Sequence, residues 1–242
     1  MSLPRGAWFS ASHEATYGKN FKMRGVRGWA GSRRFKALAN AAALRSLDVY
    51  QFGVYTGGSM RGLAHAVRGF GQLYGFDSFI GLPAETEGVA LEGPHWRPGA
   101  FSAADALGSY SVDGLLANLR ERVGRANVTL IPGFYNDSLT DSLRRRFPFQ
   151  PALLVDVDVD LHSSAVQCLT WMLKHRLIVA GTLVRYDDWR NMRQRHGEAR
   201  AHRELTRRFN ITWSNLAGRD GKPNSREWQV VSVGGRRARR LT

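Results

Sequence analysis

Asp48-Val-Tyr-Gln-Phe-Gly-Val-Tyr-Thr-Gly-Gly-Ser59 is the stretch on which the fold turns. An apolar run of strand type from Asp48 to Val54 enters a glycine-rich break, and a helical pattern follows from Ser59 to Arg68 with Ser59 as the expected N-cap. A second short strand, Gln72 to Asp77, closes on an acid. The same alternation continues downstream. Helices are expected at Val112–Val123, at Asp137–Arg146, at Ser163–Lys174 and at Glu198–Phe209. Strands are expected at Val128–Ile131, at Pro151–Asp156, within Leu177–Val184 ahead of Asp187-Asp188, and finally at Ile211–Trp213 and Trp228–Ser232. Strands alternating with helices predict an α/β fold: a doubly wound, mostly parallel seven-stranded sheet, with helices on both faces and an antiparallel edge strand where the last two strands lack a helix between them.

Upstream, residues 1–47 read as an N-terminal arm ending in a helix over Ser32–Ser46, and residues 48–242 as the main domain. Residues 82–111 are rich in Gly, Pro and polar residues. An insertion of that length predicts a lid or binding segment rather than a simple connection.

The composition narrows the class. The 242 residues suit one domain with a core of ordinary size, and 43% hydrophobic residues with 23% charged exclude wholesale disorder. Cys168 stands alone, which excludes an intrachain disulfide and a cysteine zinc cluster. No apolar run approaches the ~20 residues of a membrane span. The first residues lack the order of a secretory signal, so a cytoplasmic protein with no membrane partner is expected. The net charge is +15, carried by 30 Arg and 5 Lys, with runs at Arg33-Arg34, Arg144-Arg145-Arg146, Arg207-Arg208 and Arg236-Arg237. Such a balance raises a polyanionic partner, but scattered patches describe a solvated surface better than one nucleic-acid track.

Three features carry chemistry, and each falls at the end of an expected strand, where ligands sit in this architecture. Gly53-Val-Tyr-Thr-Gly57-Gly58-Ser59 lets the backbone approach a ligand closely ahead of a helix N-terminus, although glycine turns of this kind also serve packing alone. Asp77, 24 residues after Gly53, is placed to accept the hydroxyls of a ribose, or to cap a turn with Ser78. Side chains alternate along a strand, so the three carboxylates of Asp156-Val-Asp158-Val-Asp160-Leu-His162 are expected to point to one side, and Asp187-Asp188 adds two more at the end of the next strand. Crowded carboxylates repel unless a hard divalent cation neutralises them or nearby arginines pair with them. His162 reads as a structural or substrate-contact residue more than a metal ligand, and Cys168 as a core filler. No nucleophile-elbow or P-loop sequence is present.

These residues resemble the class I S-adenosylmethionine-dependent methyltransferases of the macrocin O-methyltransferase type. The likeness rests on the motifs Tyr50–Ser59, Gly75–Pro83, Ile131–Leu139, Asp158–Ser164 and Tyr186–Trp189, in that order. It implies a Rossmann-like sheet, S-adenosylmethionine and Mg²⁺ as cofactors, and transfer of a methyl group to a hydroxyl of a sugar or natural-product acceptor. It implies that Gln51, Gly53, Val54, Tyr55, Thr56, Gly57, Ser59, Asp77 and Ser78 bind the cofactor. Asp158, Asp187 and Asp188 would hold the cation, and Asp160 would act as general base. Trp96 and Phe101 on the mobile segment, with His162, would face the acceptor. The chain departs from the pattern at Gln51, where Glu is usual, at His162 for Tyr and at Ala165 for Thr. The family's habit of dimers or larger assemblies adds a homo-oligomer to the partners to be considered, without fixing the oligomeric state. The competing readings are a metal-independent methyltransferase acting on nitrogen or nucleic acid, and a basic nucleic-acid-binding protein on a Rossmann-like scaffold.

Overall fold

The computed structural model describes residues 46–67, 69–85, 93–189, 196–216, 226–234 and 236–237. The arm expected over 1–47, with its helix, lies outside the described residues except for its last two positions.

Strands β1 (Asp48–Phe52), β2 (Leu73–Asp77), β3 (Val128–Pro132), β4 (Ala152–Val157) and β5 (Leu183–Tyr186) are parallel. Strand β7 (Arg226–Val233) runs antiparallel to β5 on one side and to β6 (Thr212–Asn215) on the other, and β8 (Arg236–Arg237) pairs with β7. The order is β3-β2-β1-β4-β5-β7-β6, so the chain winds outward from β1 and then returns to the other side of it at β4. That reversal creates the switch point between β1 and β4. Both strands are buried along their whole length, which is why each reads as an apolar run.

The helices are α1 (Gly58–Ala66), α2 (Ala103–Leu107), α3 (Val112–Val123), α4 (Tyr135–Ser138), α5 (Asp141–Arg146), α6 (His162–Lys174) and α7 (Gly197–Arg208). Alternation along the strands divides the core. Met60 and Leu63 of α1 and Leu115 and Leu119 of α3 bury against Val49, Leu73 and Leu154 on one face. Leu169 and Met172 of α6 and Ala201 and Leu205 of α7 bury against Phe52, Phe76 and Val155 on the other. A doubly wound sheet with helices on both faces is what the alternating pattern predicts. Among the described residues no helix is long and apolar enough to cross a membrane.

The differences from expectation have local causes. Ser59 is inside α1, whose N-cap is Gly57 in the left-handed region (φ 81°). The expected helix over Asp137–Arg146 is two, because Thr140 leaves the helical path and caps α5 by accepting from the Leu143 N–H at 3.1 Å. The strand expected within Leu177–Val184 begins only at Leu183, since Gly181 (φ 95°) turns the chain and Thr182 Oγ1 accepts from the Val179 N–H. The insertion over 82–111 is not structureless: it contains a 3-10 turn, Pro94–Trp96, and α2, capped by Ser102 accepting from the Asp105 N–H at 3.1 Å. Its first part is closed on itself, the Leu82 N–H donating to Ala100 O at 2.8 Å and the Gly99 N–H to Leu82 O at 2.9 Å.

Candidate functional site

The carboxyl ends of β1, β2, β4 and β5 bring the expected features to one edge of the sheet. At the switch point Gly53 (φ 86°) leaves β1 so close to the neighbouring strand end that a Cβ there would stand 1.8 Å from Asp158 O. The Asp158 N–H donates to Phe52 O at 2.9 Å, fastening the two strand ends. Tyr55 (φ 48°) and Gly57 complete the turn with positive φ.

Asp77 holds this turn in place. One carboxylate oxygen accepts from the Val54 and Tyr55 N–H groups at 2.7 and 2.9 Å, and the other accepts from the Phe79 N–H at 2.7 Å. Burial raises its pKa, and these amide donors act the other way. Ser78 is engaged locally, its hydroxyl donating to Gly81 O at 2.6 Å. Thr56 O accepts from the Arg122 side chain at 3.1 Å. Gln51 is fully buried; its Nε2 donates to Gly53 O at 2.9 Å and to the Ser59 hydroxyl at 2.6 Å. Among the described residues its buried Oε1 has no hydrogen-bond partner. A buried acceptor left open costs roughly 1–3 kcal/mol, so this oxygen marks a place for a donor.

Asp158, Asp187 and Asp188 each offer an oxygen, and the three oxygens lie within 4.8 Å of one another. Burial and then the charges of Asp187, Asp156 and Asp188 drive the Asp158 carboxyl well above its ordinary pKa. Asp160 sits in the left-handed region (φ 57°), and the Trp96 indole N–H donates to its Oδ1 at 3.3 Å. Burial, followed by the neighbouring Asp188 charge, pushes Asp160 up to about 8.

The expectation that Asp156, Asp158 and Asp160 share one side is corrected here. The strand ends at Val157, so alternation stops before the last two acids. Asp156 turns to Arg185 on β5, whose Nε and Nη2 donate to its two oxygens at 2.5 and 2.8 Å. Arg185 also lies 3.4 Å from Asp187. Burial alone would lower the Arg185 pKa, but the Asp156 carboxylate outweighs it and keeps the guanidinium charged. Metal clustering and arginine pairing, posed as alternatives for these acids, are thus divided among them.

Two side chains of the site were not singled out from the sequence, Arg185 and Glu198. Glu198, on α7 and fully buried, accepts from the Val159 N–H at 3.0 Å and from the Asp188 N–H at 3.2 Å, tying together the two acid-bearing strand ends. Burial, then the Asp188 charge, raises its pKa well above the ordinary value. The available signal was helical: Glu198 shares a stripe with the buried Ala201 and Leu205.

The acceptor-facing candidates are spread over the rim. Trp96 reaches Asp160. Phe101 (φ 59°) is 38% exposed and meets the ring of Tyr55 edge-on, centroids 6.0 Å apart, beside the glycine turn. His162 instead pins α6 to α7, its Nε2 lying 2.8 Å from Glu204 Oε2.

No family model matches the sequence, and no curated protein matches it. Solved structures do match the fold. The O-methyltransferase NovP superimposes with a TM-score of 0.54 at 22% identity, over 81% of this chain and 78% of that one. CalS11, a calicheamicin methyltransferase, superimposes with a TM-score of 0.57 at 19% identity, over 80% of this chain and 77% of that one. The mixed sheet, mostly parallel with an antiparallel pair toward one edge, is the Rossmann-like fold of these methyltransferases.

Proposed function

We propose that the protein is an S-adenosylmethionine-dependent O-methyltransferase that uses a divalent cation such as Mg²⁺ and acts on a hydroxyl of a small sugar-bearing or natural-product acceptor. The observation that supports it most is the three-carboxylate cluster of Asp158, Asp187 and Asp188 placed directly against the Gly53 turn at the switch point. NovP and CalS11 are methyltransferases of the same fold.

The residues present fit both groups. The open Oε1 of Gln51 offers an acceptor for the ammonium of the cofactor's amino acid part, and Asp77 shapes the turn beside it, its Oδ1, which accepts the Phe79 N–H, keeping a lone pair for a ribose hydroxyl. Oxygen donors in a buried, mutually repelling set suit a hard cation. Bound there, the two groups would supply an electrophilic methyl and a positive charge that stabilises the ionised acceptor oxygen. The chain does the rest. Asp160 takes the acceptor's hydroxyl proton, and the Trp96 N–H orients the carboxylate that receives it. Tyr55 and Phe101 meet edge-on beside the turn, where their rings would pack against a bound cofactor.

Calorimetry with S-adenosylmethionine, followed by assay of S-adenosylhomocysteine release over a panel of hydroxylated acceptors with Mg²⁺ or EDTA, tests this reading. Saturable cofactor binding and Mg²⁺-dependent turnover are expected. No binding heat, or full turnover in EDTA, would remove it.

A further inference from the structure

A cavity of about 480 Å³ opens between α7 and the β6–β7 pair. Its size falls within the roughly 300–1,000 Å³ of small-molecule sites. Its register is informative: Arg226 at the start of β7 pairs with Tyr186 at the end of β5, and Trp189 follows directly on Asp188. The cavity therefore borders the same sheet edge as the acid cluster, on the side away from the glycine turn.

One side of it is aromatic. Trp228 stacks on His202 at 4.8 Å between centroids and 29° between planes, and Trp189 meets both rings, at 5.5 and 5.0 Å. His202 is uncharged in this setting: burial, then the neighbouring Arg203 charge, lowers its pKa to about 3. The other side is cationic. Arg203, Arg207 and Arg226 line it, and the described lining residues include no carboxylate. Arg226 Nε and Trp228 Nε1 are buried donors without a hydrogen-bond partner among the described residues. Open buried donors are costly to leave unmade, and the Arg207 charge repels that of Arg203, adding to the burial that lowers the Arg203 pKa. Both penalties vanish if an anion with several oxygens sits among them. A lone carboxylate occupies one guanidinium fork, whereas a phosphate or diphosphate can engage two or three. Beside it, the partly exposed Trp228 ring, backed by His202 and Trp189, offers a surface for stacking a planar ring.

We propose that this cavity binds a compound in which a planar ring is joined to a phosphate or diphosphate, a nucleotide-type ligand. The site does not depend on the methyl-transfer reading, because it is formed by residues outside the glycine turn and the acid cluster and needs neither cofactor nor cation.

The test is titration of the full chain, in EDTA and without S-adenosylmethionine, with uridine 5′-diphosphate, inorganic pyrophosphate and uridine, followed by calorimetry and tryptophan fluorescence. Uridine 5′-diphosphate is expected to bind at least tenfold more tightly than either fragment. Arg207→Gln, at an exposed position, and Arg203→Gln are each expected to weaken it several-fold, and Trp228→Leu by about tenfold, the worth of one stacked base. Melting curves of the two arginine variants, which leave the aromatic packing intact, separate loss of binding from loss of fold. Pyrophosphate binding as tightly as the nucleotide would overturn the ring-stacking claim. Uridine binding as tightly would overturn the anion claim. No saturable binding of any of the three, or arginine variants that bind like the parent, would overturn the site.

Discussion

Gly53 and Asp158 approach so closely that a Cβ on the glycine would lie 1.8 Å from the carbonyl oxygen of the aspartate. The backbone there also has φ 86°, which an L side chain resists. Gly53→Ala therefore meets strain and a clash with backbone, which cannot swing aside, and is expected to cost about 2–5 kcal/mol of stability. Urea denaturation measures it. The same shift moves the Asp158 backbone, so cation affinity should fall in the variant; an alanine protein as stable as the parent would show that the close approach is not real.

Glu198 should matter to the acid cluster without belonging to it. Its two oxygens accept from the Val159 and Asp188 N–H groups, and so set the spacing between the loops that carry Asp158 and Asp188. In Glu198→Gln one of those N–H groups faces an amide NH₂ instead of an acceptor. Supporting groups of this kind typically change metal affinity or activity about 10–100-fold. Mg²⁺ or Mn²⁺ titration should show a loss in that range while circular dichroism stays that of the parent. Unchanged affinity would reduce Glu198 to a packing residue.

The pattern of what could be read from the chain follows from how far each signal reaches. Alternating strands and helices are local, so α3 at Val112–Val123 has the expected bounds, its Ser111 cap and Gly124 stop being both in the text of the sequence. The meeting of Asp158 with Asp187 and Asp188 follows from the parallel pairing of β4 and β5, which topology alone predicts. Asp156 defied the reading because its partner, Arg185, lies 29 residues away, one position past the stretch Leu177–Val184 in which the strand was expected. Glu198 was hidden for a related reason: an acid in the first turn of a charged helix is ordinarily explained by the helix dipole. Its place on a stripe with Ala201 and Leu205 was the one local hint of burial, and the docking of α7 against α6 completes it.

The cluster should make stability depend on pH and on cation. Asp158, Asp160 and Glu198 all have folded-state pKa values raised above the ordinary carboxylate range, chiefly by burial, and that of Asp160 is about 8. A raised folded value means that the folded chain holds protons the unfolded chain has released, so the contribution is complete below about pH 4 and is lost as pH rises through the folded values. His202, lowered to about 3, acts in the opposite direction, but its contribution is complete above about pH 6.5. In EDTA the melting temperature is therefore expected to fall between about pH 6.5 and 9 as the carboxyls ionise against one another. Mg²⁺ should flatten that decline. A melting temperature in EDTA that is level across the window would contradict the mutual repulsion of these acids.

Asp160→Asn tests the proton-accepting role. The amide keeps the size of the side chain and can still accept from the Trp96 indole, but it cannot take up a proton. Turnover should fall about 10²–10⁴-fold, the usual worth of a general base, with S-adenosylmethionine affinity unchanged. Trp96→Phe is the companion. The indole bond lowers the Asp160 pKa, so removing it should shift the rise of rate with pH toward higher pH. Asparagine at 160 with parental turnover would move the base elsewhere.

The Asp156–Arg185 pair supports the site through its charge, and a two-step replacement can show it. Both side chains are buried, and the guanidinium spans Asp156 at 2.5 and 2.8 Å and Asp187 at 3.4 Å. Arg185→Met leaves a buried carboxylate without its partner, and breaking such a pair costs about 3–5 kcal/mol. Replacing both, Asp156→Leu with Arg185→Met, removes the stranded charge and should recover most of that stability, since apolar isosteres of buried ion pairs are commonly neutral or better. Cation binding should part from stability in the double variant. Without the Arg185 cation beside Asp187, that carboxylate is freer to bind a metal ion, while its repulsion with Asp158 and Asp188 grows when none is bound. Mg²⁺ affinity should therefore rise above that of the parent as stability in EDTA stays lower. A double variant with parental Mg²⁺ affinity would confine Arg185 to holding β4 and β5 together.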